Sequence, residues 1–120
     1  MNISLLFGLL FQARDIVHME HLRTNRMTTH ATLHELYENI ISKADAFIES
    51  YQGKYGVVAF SVPESNQVDI IPYIQDLAKQ IEKSKDEIIE ESFLKSQLDL
   101  LLEDIYTTLY KLINLCQTPE

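Results

Sequence analysis

Residues 30–53 read HATLHELYENIISKADAFIESYQG. Apolar side chains recur at Leu33, Leu36, Tyr37, Ile40, Ala44, Phe47, Ile48 and Tyr51. Steps of three and four put these residues on one stripe of an α-helix. Thr28 or Thr29 stands where a hydroxyl caps a first turn, and Gly53 stands where a left-handed residue closes a last one. The stretch therefore predicts an amphipathic helix over 29–52. A stripe of this length needs other helices to cover it.

Those helices flank it. Toward the N-terminus, Leu5, Leu6, Leu9, Leu10, Ala13, Val17 and Met19 follow a helical period and predict a helix over 2–23, with Thr24, Asn25 and Arg26 as the link. Toward the C-terminus, Gly53-Lys54-Tyr55-Gly56 is a turn signal. Val57 to Val62 is β-branched and short, and a lone run of this kind has no partner with which to build a sheet. A third helix is expected over 69–84, with Pro72 tolerated in its first turn. The charged stretch from Ser84 to Glu91 reads as a link. A fourth helix over 91–115 carries Phe93, Leu94, Leu98, Leu101, Leu102, Ile105, Leu109, Leu112 and Ile113. The expected fold is all-α: an up-down four-helix bundle with a short extended insertion between helices two and three. It forms one domain over 1–120.

The bulk properties narrow the partners. The 120 residues suffice for one core, and a net charge of -8 argues against direct binding to DNA, which needs clustered Lys and Arg. The same charge permits cation binding. The single cysteine, Cys116, excludes an intrachain disulfide and suits a packing role in a reducing interior. The apolar start, Met1 to Phe11, has no preceding Lys or Arg, and Arg14, Asp15 and His18 interrupt it. It predicts a buried helix and a cytoplasmic protein with no membrane partner.

All four histidines, His18, His21, His30 and His34, fall in one short stretch. His18 and His21 share a face of the first helix, and His30 and His34 a face of the second. His21, at a helix end, reads as a surface or capping residue. Farther along the second helix, Asp45 and Glu49 repeat the four-residue step. Imidazoles and carboxylates on one line suit iron, zinc or manganese. Eleven residues of helix rise about 16 Å, so the histidine and carboxylate ends meet only if two copies pair. Antiparallel pairing of second helices about an axis near Asn39 and Ile40 would bring His30 and His34 of one copy toward Asp45 and Glu49 of the other. His18 would join from the first helix. Glu35, Glu38, Asp99, Glu103 and Asp104 read as solvated positions, and Tyr106 and Tyr110 as packing.

The series His18, His30, His34, Asp45, Glu49 resembles the iron-oxidation signature of the Dps mini-ferritins, whose site bridges a two-fold interface. The family has Asp where this chain has His34. The link HLRTNRMTTHATLHELYENI and the region from Phe11 to Gly53 resemble that family's first two helices. The run ESYQGKYG at 49–56 is similar to short, uncharacterised, phage-encoded ferritin-like proteins. The resemblance implies a homodimer or larger homo-oligomer with an intersubunit iron site formed by His18, His30, His34, Asp45 and Glu49. It also implies ferroxidase-type oxidation of ferrous iron. The alternative is a non-catalytic structural or interaction protein, such as a phage virion component, that keeps a degenerate metal site.

Overall fold

The structure, a computed structural model, describes residues 1–116. Four helices account for most of them: α1 (Ile3–Arg23), α2 (Met27–Tyr55), α3 (Ile70–Ile88) and α4 (Ser92–Asn114). The described residues contain no strand.

The helix ends follow local chemistry. The Asn2 side chain accepts from the Leu5 amide at 3.0 Å and caps α1. α2 begins before Thr28 and Thr29, so neither is its N-cap; Arg26 holds that position, and its amide donates to the Thr24 hydroxyl at 3.3 Å. At the other end Gly53 stays helical, and Gly56 takes the positive φ of +94° while its amide donates to the Gln52 carbonyl at 2.8 Å. The two glycines are three apart, and only the second sits where the chain leaves the helix. α3 runs a turn past Ser84, through the expected link, because Ser84 is buried, Ile88 packs on the core and Ile89 is buried beyond it.

The helices pack as a square. α1 lies against α2 and α3, and α4 lies against α2 and α3, which leaves α1–α4 and α2–α3 as the diagonals. The core joins Leu6, Leu10, Ala13 and Val17 of α1 to Leu33, Leu36, Ile40 and Phe47 of α2. Ile74, Leu77 and Ile81 of α3 meet Leu94, Leu98 and Ile105 of α4. Each fully buried Leu, Ile or Phe contributes roughly 1.5–3 kcal/mol by leaving water. Cys116 is also buried, with its sulfur 3.6 Å from the Thr32 hydroxyl. Leu5, Phe93 and Ile113, all assigned to apolar stripes, are substantially exposed.

The extended segment between α2 and α3 decides the chain path. Ser4 donates to the Ala59 carbonyl at 3.1 Å, Gln12 to the Glu64 carbonyl at 2.9 Å, and the Val68 amide to the Glu20 carboxylate at 3.4 Å. As the segment advances from 59 to 68, its partners on α1 advance from 4 to 20. It therefore runs alongside α1 in the same direction. An extended chain covers about 3.3 Å per residue, enough to span the helix. α3 starts at the end of the bundle where α1 finishes, so the diagonal helices α2 and α3 point the same way and all neighbouring pairs are antiparallel. Two residues hold this crossover down. Phe60 packs on Phe7 and Phe11, with ring centroids 5.5 and 5.3 Å apart. Gly8 lets the backbones approach; a Cβ there would lie 2.4 Å from the Ser61 carbonyl oxygen.

Candidate metal centre

The tight link at Thr24–Arg26 folds α2 back along α1 and brings the last turn of α1 against the first turns of α2. That is where the four histidines meet. His21 sits at the middle. Its ring centroid is 5.3 Å from that of His18, 4.6 Å from that of His30 and 5.5 Å from that of His34. Tyr37, one turn beyond His34, closes the stack against His18 at 4.1 Å. His21 is buried, His18 and His30 are half-buried, and His34 is exposed.

Burial of His21 corrects the expectation of a surface or capping residue. Its position continues the buried series Leu6, Leu10, Ala13 and Val17 at helical steps, and α2 folds over it. That continuation is legible in the sequence, and it is the signal that marks His21 as inward-facing.

Hydrogen bonds fix the state of two rings. His21 Nδ1 lies 2.6 Å from the His18 carbonyl oxygen, and His30 Nδ1 lies 2.7 Å from the His21 carbonyl oxygen. A carbonyl oxygen only accepts, so each Nδ1 carries the proton and donates. In the neutral ring Nε2 then holds the free lone pair. Histidine ligands commonly show this arrangement, with one nitrogen donating to a backbone carbonyl and the other free for a metal. His34 is engaged from the other side, with Nε2 2.6 Å from the Glu38 carboxylate, which leaves its Nδ1. Glu38 is thus a partner of a histidine rather than only a solvated position.

Asp45 and Glu49 lie farther down α2, both exposed. At about 1.5 Å per residue, Asp45 stands about 16 Å along the helix from His34, so one chain does not bring the carboxylates to the imidazoles. Among the described residues, no three His, Cys, Asp or Glu side chains already converge on a common point. Of the expected ligands, the structure gathers His18, His30 and His34 and adds His21. Two of the acidic positions on α4 are paired: Asp104 with Lys43, and Asp99 with Lys85 at 2.8 Å. Glu35 is 3.3 Å from Lys111. Tyr106 donates to Glu82 at 2.8 Å, and that bond holds its phenol proton more tightly than usual.

Residues 21–112 match a family of unknown function, DUF5856. The chain belongs to that family. The DUF5856 match takes in His21, His30, His34, Asp45 and Glu49 and begins just after His18. No curated protein and no solved structure matches the chain. Among the described residues, no helix of this DUF5856 member is long and apolar enough to cross a membrane.

Proposed function

We propose that this protein binds a transition metal between two copies of itself, with ferritin-like iron handling as the chemistry. His18, His30 and His34 of one chain would face Asp45 and Glu49 of the other. The observation that carries the reading is the separation within one chain: an imidazole cluster at one end of α2, and two exposed carboxylates about three turns down the same helix. Each chain holds two halves of a ligand set that complement each other only by antiparallel pairing. The donor chemistry fits. His30, with Nδ1 tied to the His21 carbonyl, offers Nε2 to ferrous iron, His34 offers Nδ1, and carboxylates favour the ferric state. The crossover supports the same reading, because one long crossover is how ferritin-like bundles connect their second and third helices. In the cell, the assembly would act in the cytoplasm, that of the bacterial host if the chain is phage-encoded.

Elemental analysis of the purified protein, light scattering with and without ferrous iron, and oxidation assays test this. Iron-dependent dimers or larger oligomers are expected, with oxidation abolished by His30→Ala and by Glu49→Ala. A protein that stays monomeric at high micromolar concentration with metal supplied would remove the intersubunit site.

One observation favours a second reading, a structural assembly protein with a degenerate, redox-inert metal site: the histidine rings stack rather than converge. Under that reading the protein oligomerises and binds metal, yet ferrous iron is not oxidised.

A further inference from the structure

We infer that His21, His30 and His34 form a three-nitrogen site for a borderline divalent cation, of the zinc or cobalt(II) kind, within a single chain. The site shares His30 and His34 with the intersubunit reading, but it needs neither Asp45, Glu49 nor a second copy.

His30 and His34 are one helical turn apart on α2, the spacing at which two histidines on one face grip a single zinc ion. His21 reaches the same point from α1. With metal–nitrogen bonds of about 2.0–2.1 Å and the ring centre about 1.1 Å beyond the nitrogen, two imidazoles on one tetrahedral ion have centroids roughly 5 Å apart. The centroids of His21 and His30 are 4.6 Å apart, and those of His21 and His34 are 5.5 Å apart. The backbone therefore already holds two of the three ring pairs, those that include His21, at the separation a shared ion requires. What remains is rotation of the rings about their own side-chain bonds, and His34 is exposed, with its Glu38 partner exposed one turn along the same helix.

The partners of the rings agree. His21 and His30 each donate Nδ1–H to a main-chain carbonyl, and His34 contacts the Glu38 carboxylate. Every ring thus has one nitrogen engaged and one to give, which is the support that metal-bound imidazoles receive. Glu38 adds negative charge beside the ion. His18 takes no ligand role; together with Tyr37 it forms a stacked wall behind His21. Three neutral nitrogens select zinc or cobalt over magnesium or calcium, which prefer oxygen. A fourth position stays open to water.

Cobalt(II) is the probe, because its visible absorption reports coordination number. The unaltered protein should bind one cobalt per chain with a low-coordinate spectrum, independent of protein concentration. His21→Gln and His34→Ala should each weaken binding on the order of tenfold or more. The double variant Asp45→Asn with Glu49→Gln should bind as the unaltered protein does. Ring resonances of His21, His30 and His34 should shift when zinc is added to the unaltered protein, a readout that does not depend on any variant folding. Absence of a His21 shift, or cobalt binding by folded His21→Gln at full strength, overturns the inference. If the carboxylate variant loses cobalt, this site fails and the intersubunit reading stands. If cobalt binds as expected but iron is neither bound nor oxidised, the intersubunit reading fails and this site stands.

Discussion

The α1–α2 hairpin carries a cluster of aromatic rings at each end, and the two clusters are built differently. At one end Phe7 meets Phe47, Tyr51 and Phe60 edge to face, with interplanar angles of 87°, 88° and 87°. At the other, Tyr37, His18, His21 and His30 lie nearly parallel, with successive angles of 21°, 23° and 29°. Edge-to-face contact is what hydrocarbon rings adopt when packing alone decides, because the positive edge of one ring meets the negative face of the next. In the stacked cluster, hydrogen bonds from His21 and His30 to main-chain carbonyls govern the orientation of the rings. The first cluster completes the core. The second keeps nitrogen lone pairs in reserve and depends less on apolar burial, as expected where a sequence gives up packing for chemistry.

The comparison predicts unequal responses to substitution. Phe7→Ala removes the ring shared by all the edge-to-face pairs and should cost about 3–5 kcal/mol, read as a fall in the urea midpoint. An effect below that of an ordinary surface change would show that the cluster is not the structural end. Gly8→Ala forces a methyl group against the Ser61 carbonyl and should cost about 1–3 kcal/mol. Hydrogen exchange should speed up along 57–68 first if the strain is local to the crossover. His21→Gln should cost only about 1 kcal/mol, the worth of one internal hydrogen bond, while metal binding suffers far more. Calorimetry with and without zinc separates the two, and equal losses in both would erase the distinction between the ends.

The smallest expected effect lies beside the Phe7 end. Tyr55 donates to Glu91 and ties the last turn of α2 to the start of α4. That hydrogen bond, aided by the nearby carboxylates, pushes the phenol up to about 12. The folded state favours the protonated phenol, so the contribution is present below the ordinary tyrosine value near 10 and is lost as pH rises through about 12. Subtracting the ultraviolet titration of Tyr55→Phe from that of the unaltered protein should isolate one phenol titrating late. A difference curve centred near 10 would dissolve the tie.

The helices were legible because their apolar stripes are long. Leu33, Leu36, Ile40, Ala44, Phe47 and Ile48 are all buried as their spacing requires. Helix ends were less legible, because Gly53 and Gly56 offer the same local signal and only the departing chain distinguishes them. The path of the insertion was hidden as well. Phe60 and Gly8 are far apart in sequence, and neither alone announces a contact with the other's segment. At the site, the gathering of histidines was visible as a clustering of one residue type. The inward face of His21 was legible as a continuation of Leu6, Leu10, Ala13 and Val17, but its centrality was not, because that depends on how far the next helix overlaps it.

The crossover also orders events in time. Everything the stacked cluster needs lies between His18 and Tyr37, so its contacts are short-range and can form once that stretch of chain is free. The edge-to-face cluster stays incomplete until Phe60 arrives, and α1 remains partly uncovered until the crossover has been laid along it. During synthesis, the histidine end of the hairpin is thus expected to form while the rest of the bundle is still being made. A cation captured then would pin α1 to α2 and act as a nucleus on which the later half of the chain condenses.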